Sequence, residues 1–141
     1  MKKILSLVTT VIIAAFLQSC NSTKAISANG ILTETNWELA TINGKPADAS
    51  KYSSGLPVAY FSSDNKITGS GGCNRYSGSY NLNEEGGINI SQMISTKMFC
   101  PGDGEGEYIK ALETVDGATV DKDKLVLLKG IDEVLVFKPK K

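Results

Sequence analysis

From residue 36 onward, apolar residues fall mostly on alternate positions, the period of a strand with one face buried. In NWELATING (36–44), Trp37 and Leu39 share a face and Asn43-Gly44 is a turn pair. PVAYFSSDNKITGS (57–70) predicts two short strands around a turn at Asp64-Asn65. In SGSYNLNEEGGINISQMIS (77–95), Tyr80 and Leu82 alternate, EEGG reverses the chain, and Ile88 and Ile90 alternate back. KLVLLKGIDEVLVFK (124–138) has two apolar runs flanking a loop that contains Gly130, which predicts a hairpin. One stretch breaks the period of two. In EGEYIKALETVDG (105–117), Tyr108, Ile109, Leu112 and Val115 fall on one stripe of a helix. Glu105 and Glu107 sit in its first turn, where the helix dipole favours negative charge, and Gly117 reads as the C-terminal stop. The order is therefore roughly seven short strands with one helix before the last hairpin. That predicts a mainly β fold, a small antiparallel β-barrel with the helix packed on it or closing one end, or an open sandwich of the same strands. Trp37, Tyr60, Phe61, Tyr80 and Phe137 lie in strand-like runs and are expected in the core.

The first residues follow a different pattern. Lys2 and Lys3 precede ILSLVTTVIIAAF (4–16), an apolar run too short for a comfortable membrane span. LQSC (17–20) closes it and resembles a bacterial lipobox. The pattern predicts a signal peptide over 1–19, cleavage before Cys20, a diacylglycerol thioether on Cys20 and acylation of its freed amine. Two or more acyl chains hold a protein stably at a membrane. The alternative is an ordinary secretory signal with Cys20 as a stray thiol. NSTKAISANG (21–30) is small and polar. It reads as part of a lipidated N-terminus and flexible tether over 20–32, with one domain over 33–141. Removal of Lys2 and Lys3 leaves 13 Lys+Arg against 15 Asp+Glu, a net charge of −2. No basic block stands out, which argues against a nucleic-acid partner. KPKK (138–141) reads as a solvated cationic tail.

The chain contains no histidine, which removes Ser-His-Asp and Cys-His catalysis and His-ligated zinc. Export implies an oxidising compartment. With Cys20 taken by lipid, Cys73 and Cys100 remain as an even pair, in a small exported domain a structural disulfide. Cys73 sits in GSGGCNRYSGSY (69–80), for which three readings compete: a phosphate cradle, a reactive thiol, or a tight turn that aims one half of a disulfide. A dinucleotide fingerprint needs Gly where Asn74 stands and a helix afterwards, and no GK[ST] is present. A reactive thiol needs a neighbouring base or cation. Arg75 and Lys97 are the candidates, and there is no CxxC. On the turn reading, Gly69, Gly71, Gly72 and Gly78 supply backbone freedom, and Asn74 tolerates the left-handed region. Asp103, Glu105 and Glu107 alternate as calcium ligands do. The EF-hand positions fail at Tyr108 and Thr114, so no metal site is expected. Arg75 and Tyr76 follow the turn and are expected to be exposed as a candidate binding pair. Arg75 bracing the turn is the alternative.

Five segments, NWELATINGK, FSSDNKITGSGGCNRYSGSY, ISQMISTKMFC, EYIKALETV and the final LVLL and LVF, together resemble the META domain, or HslJ-like, family. The resemblance runs from about Trp37 to Phe137. Its most specific parts are residues 69–80 and STKMFC at 95–100, where Phe99 replaces the small residue usual before the second cysteine. The resemblance implies a small antiparallel β-barrel with one helix, often in a lipoprotein of the bacterial envelope. Some members are linked to heat shock and tolerance of an antibiotic, and no enzymatic activity is established. Asn21, in place of the Asp that favours inner-membrane retention, implies the outer membrane facing the periplasm. The expectation is a non-catalytic, lipid-anchored envelope protein with a stress-related role, a binding or assembly module braced by Cys73–Cys100. It needs no cofactor, and its partner is an envelope protein or small ligand. The alternatives are an inhibitor or small-ligand-binding barrel, and a thiol-redox enzyme acting through Cys73 and Cys100.

Overall fold

The alternating segments assemble into a single sheet of nine strands whose pairings are all antiparallel. The computed structural model describes residues 30–141. The expected signal peptide, Cys20 and the tether up to residue 29 lie outside the described residues. In chain order the elements are β1 (Asn36–Ile42), β2 (Lys45–Pro46), β3 (Val58–Ser62), β4 (Lys66–Ser70), β5 (Arg75–Leu82), β6 (Ile88–Ser95), α1 (Gly104–Thr114), β7 (Gly117–Asp121), β8 (Lys124–Lys129) and β9 (Asp132–Pro139). The sheet order is β6-β5-β4-β3-β1-β9-β8-β7, with β2 paired to the end of β1. The central strand β1 joins the two halves, with Trp37 opposite Ala59 of β3 and Leu39 opposite Phe137 of β9.

The sheet curls into an open half-barrel, as sheets do under their intrinsic twist. Its two edge strands meet at one point, a bridge between Gly87 and Gly117. Two backbone bonds reinforce it, Ile88 N–H to Asp116 O at 3.0 Å and Ala118 N–H to Gly86 O at 2.7 Å. The inner face carries the alternating residues Trp37, Leu39, Phe61, Ile67, Leu125, Leu127, Leu135 and Phe137, all fully buried. The helix α1 adds Tyr108, Ala111 and Leu112, and Phe61 meets Tyr80 edge-on at 5.1 Å. The mainly β architecture with one main helix agrees with the alternation.

Four local expectations differ. Residues 30–34 are helical and Leu32 is fully buried, its carbonyl accepting from Trp37 Nε1 at 3.1 Å, so folded structure begins ahead of Thr33. Gly117 opens β7 instead of stopping α1, which ends three residues earlier. Val115 is buried from the connection beyond the helix. Tyr60 is 40% exposed, because its neighbour Phe61 takes the inward position and the period of two sends Tyr60 outward.

Candidate functional site

One end of the half-barrel gathers the glycine-rich turn 71–74, the segment 96–103 and the start of α1. Cys73 and Cys100 sit at disulfide distance, their Cα atoms 6.3 Å apart and 27 positions apart in sequence. That separation lies inside the range a disulfide spans, about 4.4–6.8 Å.

Asn74 is the centre of this end. It is 6% exposed. Its amide Nδ2 donates to Glu105 Oε2 at 2.7 Å and to Met98 O at 3.2 Å. Its Oδ1 accepts from Thr96 Oγ1 at 2.9 Å and from the Met98 N–H at 2.8 Å. Its backbone N–H donates to Glu105 Oε1 at 2.6 Å, and its carbonyl accepts from Gly71 N–H at 2.9 Å. One side chain thus ties the turn, the exit of β6 and the first turn of α1. Asn74 does not adopt a positive φ; its value here is its side-chain hydrogen bonds, a fifth and longer one running from Nδ2 to Cys100 Sγ at 3.7 Å, and not left-handed geometry. Sequence reasoning missed this role and that of Glu105. The available signal was an amide next to a cysteine in a segment otherwise unable to satisfy buried backbone groups.

The glycines serve different ends. Gly72 adopts φ +98, and a Cβ there would run into the Tyr52 ring. A Cβ on Gly71 would stand 2.7 Å from Glu105 Oε1. These two make the turn and admit its neighbours. Gly69 and Gly78 were expected in turns but lie within β4 and β5. Each marks a close approach: Tyr76 Oη would be 2.7 Å from a Cβ at Gly69, and Met93 Sδ 2.6 Å from one at Gly78.

Tyr76 does not form an exposed pair with Arg75. It is 4% exposed, since β5 alternates Arg75 outward and Tyr76 inward. Its hydroxyl donates to Val58 O at 3.0 Å and meets the hydroxyl of Tyr108 at 2.8 Å. Burial raises the pKa of both phenols, and at Tyr76 the bond from Tyr108 offsets part of the rise. The three acids also separate. Glu105 turns in to Asn74, while Asp103 and Glu107 lie 3.8 and 3.6 Å from Lys51 Nζ, so they form no calcium ring. The charged group beside the sulfurs is the Glu105 carboxylate, and not the cation of Arg75 or Lys97 that a reactive thiol calls for. A carboxylate there opposes thiolate formation.

Arg75, the only arginine of the chain, remains exposed on the outer sheet face. Its backbone is held by Thr96, through Arg75 N–H to Thr96 Oγ1 at 3.2 Å and Thr96 N–H to Arg75 O at 3.0 Å. Its guanidinium has no ion-pair partner among the described residues. It lines an open groove of ≈730 Å³ with Val58, Ser70, Ser77, Ile94 and Thr96. Register explains the grouping. Val58, Ser70 and Arg75 lie side by side across β3, β4 and β5, and Tyr60, Thr68, Ser77 and Ile94 form the next row. Ile94 is 70% exposed.

The META domain family model matches residues 31–141. No curated protein matches the chain. Three solved structures are similar in fold. An NMR structure of a protein from Burkholderia xenovorans is 24% identical, with a TM-score of 0.62 over 82% of this chain and 88% of that one. A second NMR structure is also 24% identical, with a TM-score of 0.61 over 77% and 91%. The crystal structure of a DUF4847 family protein from Bacteroides vulgatus is 18% identical, with a TM-score of 0.59 over 80% and 97%.

Proposed function

The chain belongs to the META domain family, and on that premise we propose that it is a non-catalytic, lipid-anchored protein of the bacterial envelope that serves as a binding or assembly module in stress. The observation that carries the binding role is the outer-face groove. It offers a guanidinium with no ion-pair partner among the described residues, a set of hydroxyls and exposed Ile94 on a four-stranded surface. Such a surface fits a partner that presents an anionic group next to an apolar one. The filled interior, with Trp37, Phe61 and Phe137 fully buried, favours a ligand on the outer face over one inside the barrel. The anchor rests on LQSC at 17–20, the outer-membrane position on Asn21, and the stress role on the family resemblance.

A thiol-redox activity is the second reading, and one observation favours it. Cys73 and Cys100 border an open cavity of ≈250 Å³. The carboxylate of Glu105 beside the sulfurs argues the other way.

Metabolic labelling with palmitate tests the anchor. The full chain is expected to take up label and sediment with outer membranes, and Cys20→Ser to lose both. Label retained by Cys20→Ser would overturn the anchoring part of the reading.

A further inference from the structure

The sulfur atoms of Cys73 and Cys100 and a carboxylate oxygen of Glu105 all lie within 4.8 Å of one another, and all three residues are half-buried. They line the ≈250 Å³ cavity together with Gly72, Phe99 and Gly106. No side chain crowds this wall at Gly106, where an added Cβ would meet nothing within 4 Å.

The carboxylate is not loose. Both of its oxygens accept from Asn74, at 2.6 Å from the backbone N–H and 2.7 Å from Nδ2. A ligating carboxylate is ordinarily oriented by such outer hydrogen bonds. Two thiolates and one carboxylate form a soft, anionic donor set that suits a zinc-class cation, with water in the fourth position. The same carboxylate that disfavours free thiolates favours a bound cation, because the cation neutralises all three groups.

We propose that Cys73, Cys100 and Glu105 form a redox-gated site for a soft divalent cation of the zinc and cadmium class, closed by the disulfide and opened by its reduction. The step balances as follows. A dithiol donor gives two electrons and two protons to the Cys73–Cys100 bond and becomes a disulfide itself. The S–S bond breaks, leaving two thiols. The cation then displaces the two thiol protons to solvent as the two metal–sulfur bonds form. Asn74 acts as a positioning residue, through Glu105.

The test uses the full chain purified in detergent. One sample is left oxidised. The other is reduced by a phosphine, which becomes the phosphine oxide with oxygen from water, and the phosphine is then removed. Cadmium ion alone is titrated into each, and the sulfur-to-cadmium charge-transfer absorption is read in the ultraviolet. The reduced chain is expected to develop the band and saturate at one cadmium per chain, and the oxidised chain to show none. Glu105→Gln is expected to weaken binding at least about tenfold, the scale of lost ligand or outer-shell contacts. Glu107→Gln, which alters an exposed acid of the same helix, should bind as the parent does. Because Glu105→Gln also touches Asn74, circular dichroism checks its fold. Cys100→Ser, read without reductant, supplies a second variant that should show no tight band. A reduced chain without the band, one cadmium shared by two chains, or a folded Glu105→Gln that binds as tightly as the parent would each overturn the proposal.

Discussion

Asn74 and Glu105 grip each other through two hydrogen bonds, the Asn74 backbone N–H to Oε1 at 2.6 Å and its amide Nδ2 to Oε2 at 2.7 Å. The pair spans 31 positions and links the glycine turn to the N-terminal turn of α1. Next to it, Cys73 and Cys100 link the same turn to the segment leading into the helix. A covalent brace and a polar brace therefore act on one junction. Among the described residues, no buried side-chain polar atom lacks a partner.

Asn74→Ala is expected to destabilise the domain by roughly 2–3 kcal/mol, because it removes the bonds of Nδ2 to the Glu105 carboxylate and of Oδ1 to the Thr96 hydroxyl and the part-buried Met98 N–H at once. Urea unfolding at neutral pH measures this. An unchanged midpoint would show that the hub is not a structural requirement.

Replacing Cys73 and Cys100 together by serine removes a closure over 27 positions. The chain-entropy estimate is a loss of about 3–4 kcal/mol, with the slope of the urea transition rising as the denatured chain expands. A loss under about 1 kcal/mol would mean that native strain or residual denatured structure offsets the closure.

Gly72→Ala and Gly71→Ala separate the two demands on the turn. At Gly72 the φ of +98 strains any side chain, and the Cβ strikes Tyr52. At Gly71 the backbone is not in the left-handed region, and the Cβ meets only the Glu105 side chain. Gly72→Ala is expected to cost the more, on the order of 2–3 kcal/mol. Equal losses on thermal unfolding would contradict this assignment.

Tyr76 and Tyr108 both have their phenol pKa raised, with burial as the largest cause in each. The folded values lie above the unfolded value of about 10. Their contribution is therefore fully present below pH about 10 and is lost as pH rises through the folded values. An ultraviolet titration of the folded chain is expected to leave these two phenols unionised at pH about 11, with all five tyrosines ionised once urea unfolds it. Full ionisation of the folded chain near pH 10 would contradict the buried pair.

The regular hairpins were legible because each strand repeats one face. Trp37, Leu39, Phe61, Ile67, Leu127 and Phe137 all point where the period of two puts them. The strands β2 and β7 were not. One is only Lys45–Pro46, and the other, GATVD, carries a single large apolar residue, half-buried Val120. The cysteine distance was legible because only two cysteines remained to pair. The role of Asn74 was not, since its side-chain partners come from Thr96, Met98, Cys100 and Glu105, and no local pattern brings these together. Tyr76 failed for a simpler reason. It follows a turn in sequence, but β5 already begins at Arg75, so alternation sends the tyrosine inward.

The binding role is tested most directly by site-specific photocrosslinking in intact envelopes. A photoreactive phenylalanine analogue at position 94 sits in the groove, and the same analogue at exposed Thr119 of β7 serves as the control. The account predicts one discrete adduct from position 94, none from position 119, and loss of the adduct with Arg75→Glu while the unfolding free energy from urea stays within about 0.5 kcal/mol of the parent. No adduct at position 94, or the same adduct from both positions, would contradict a binding module that works through this groove.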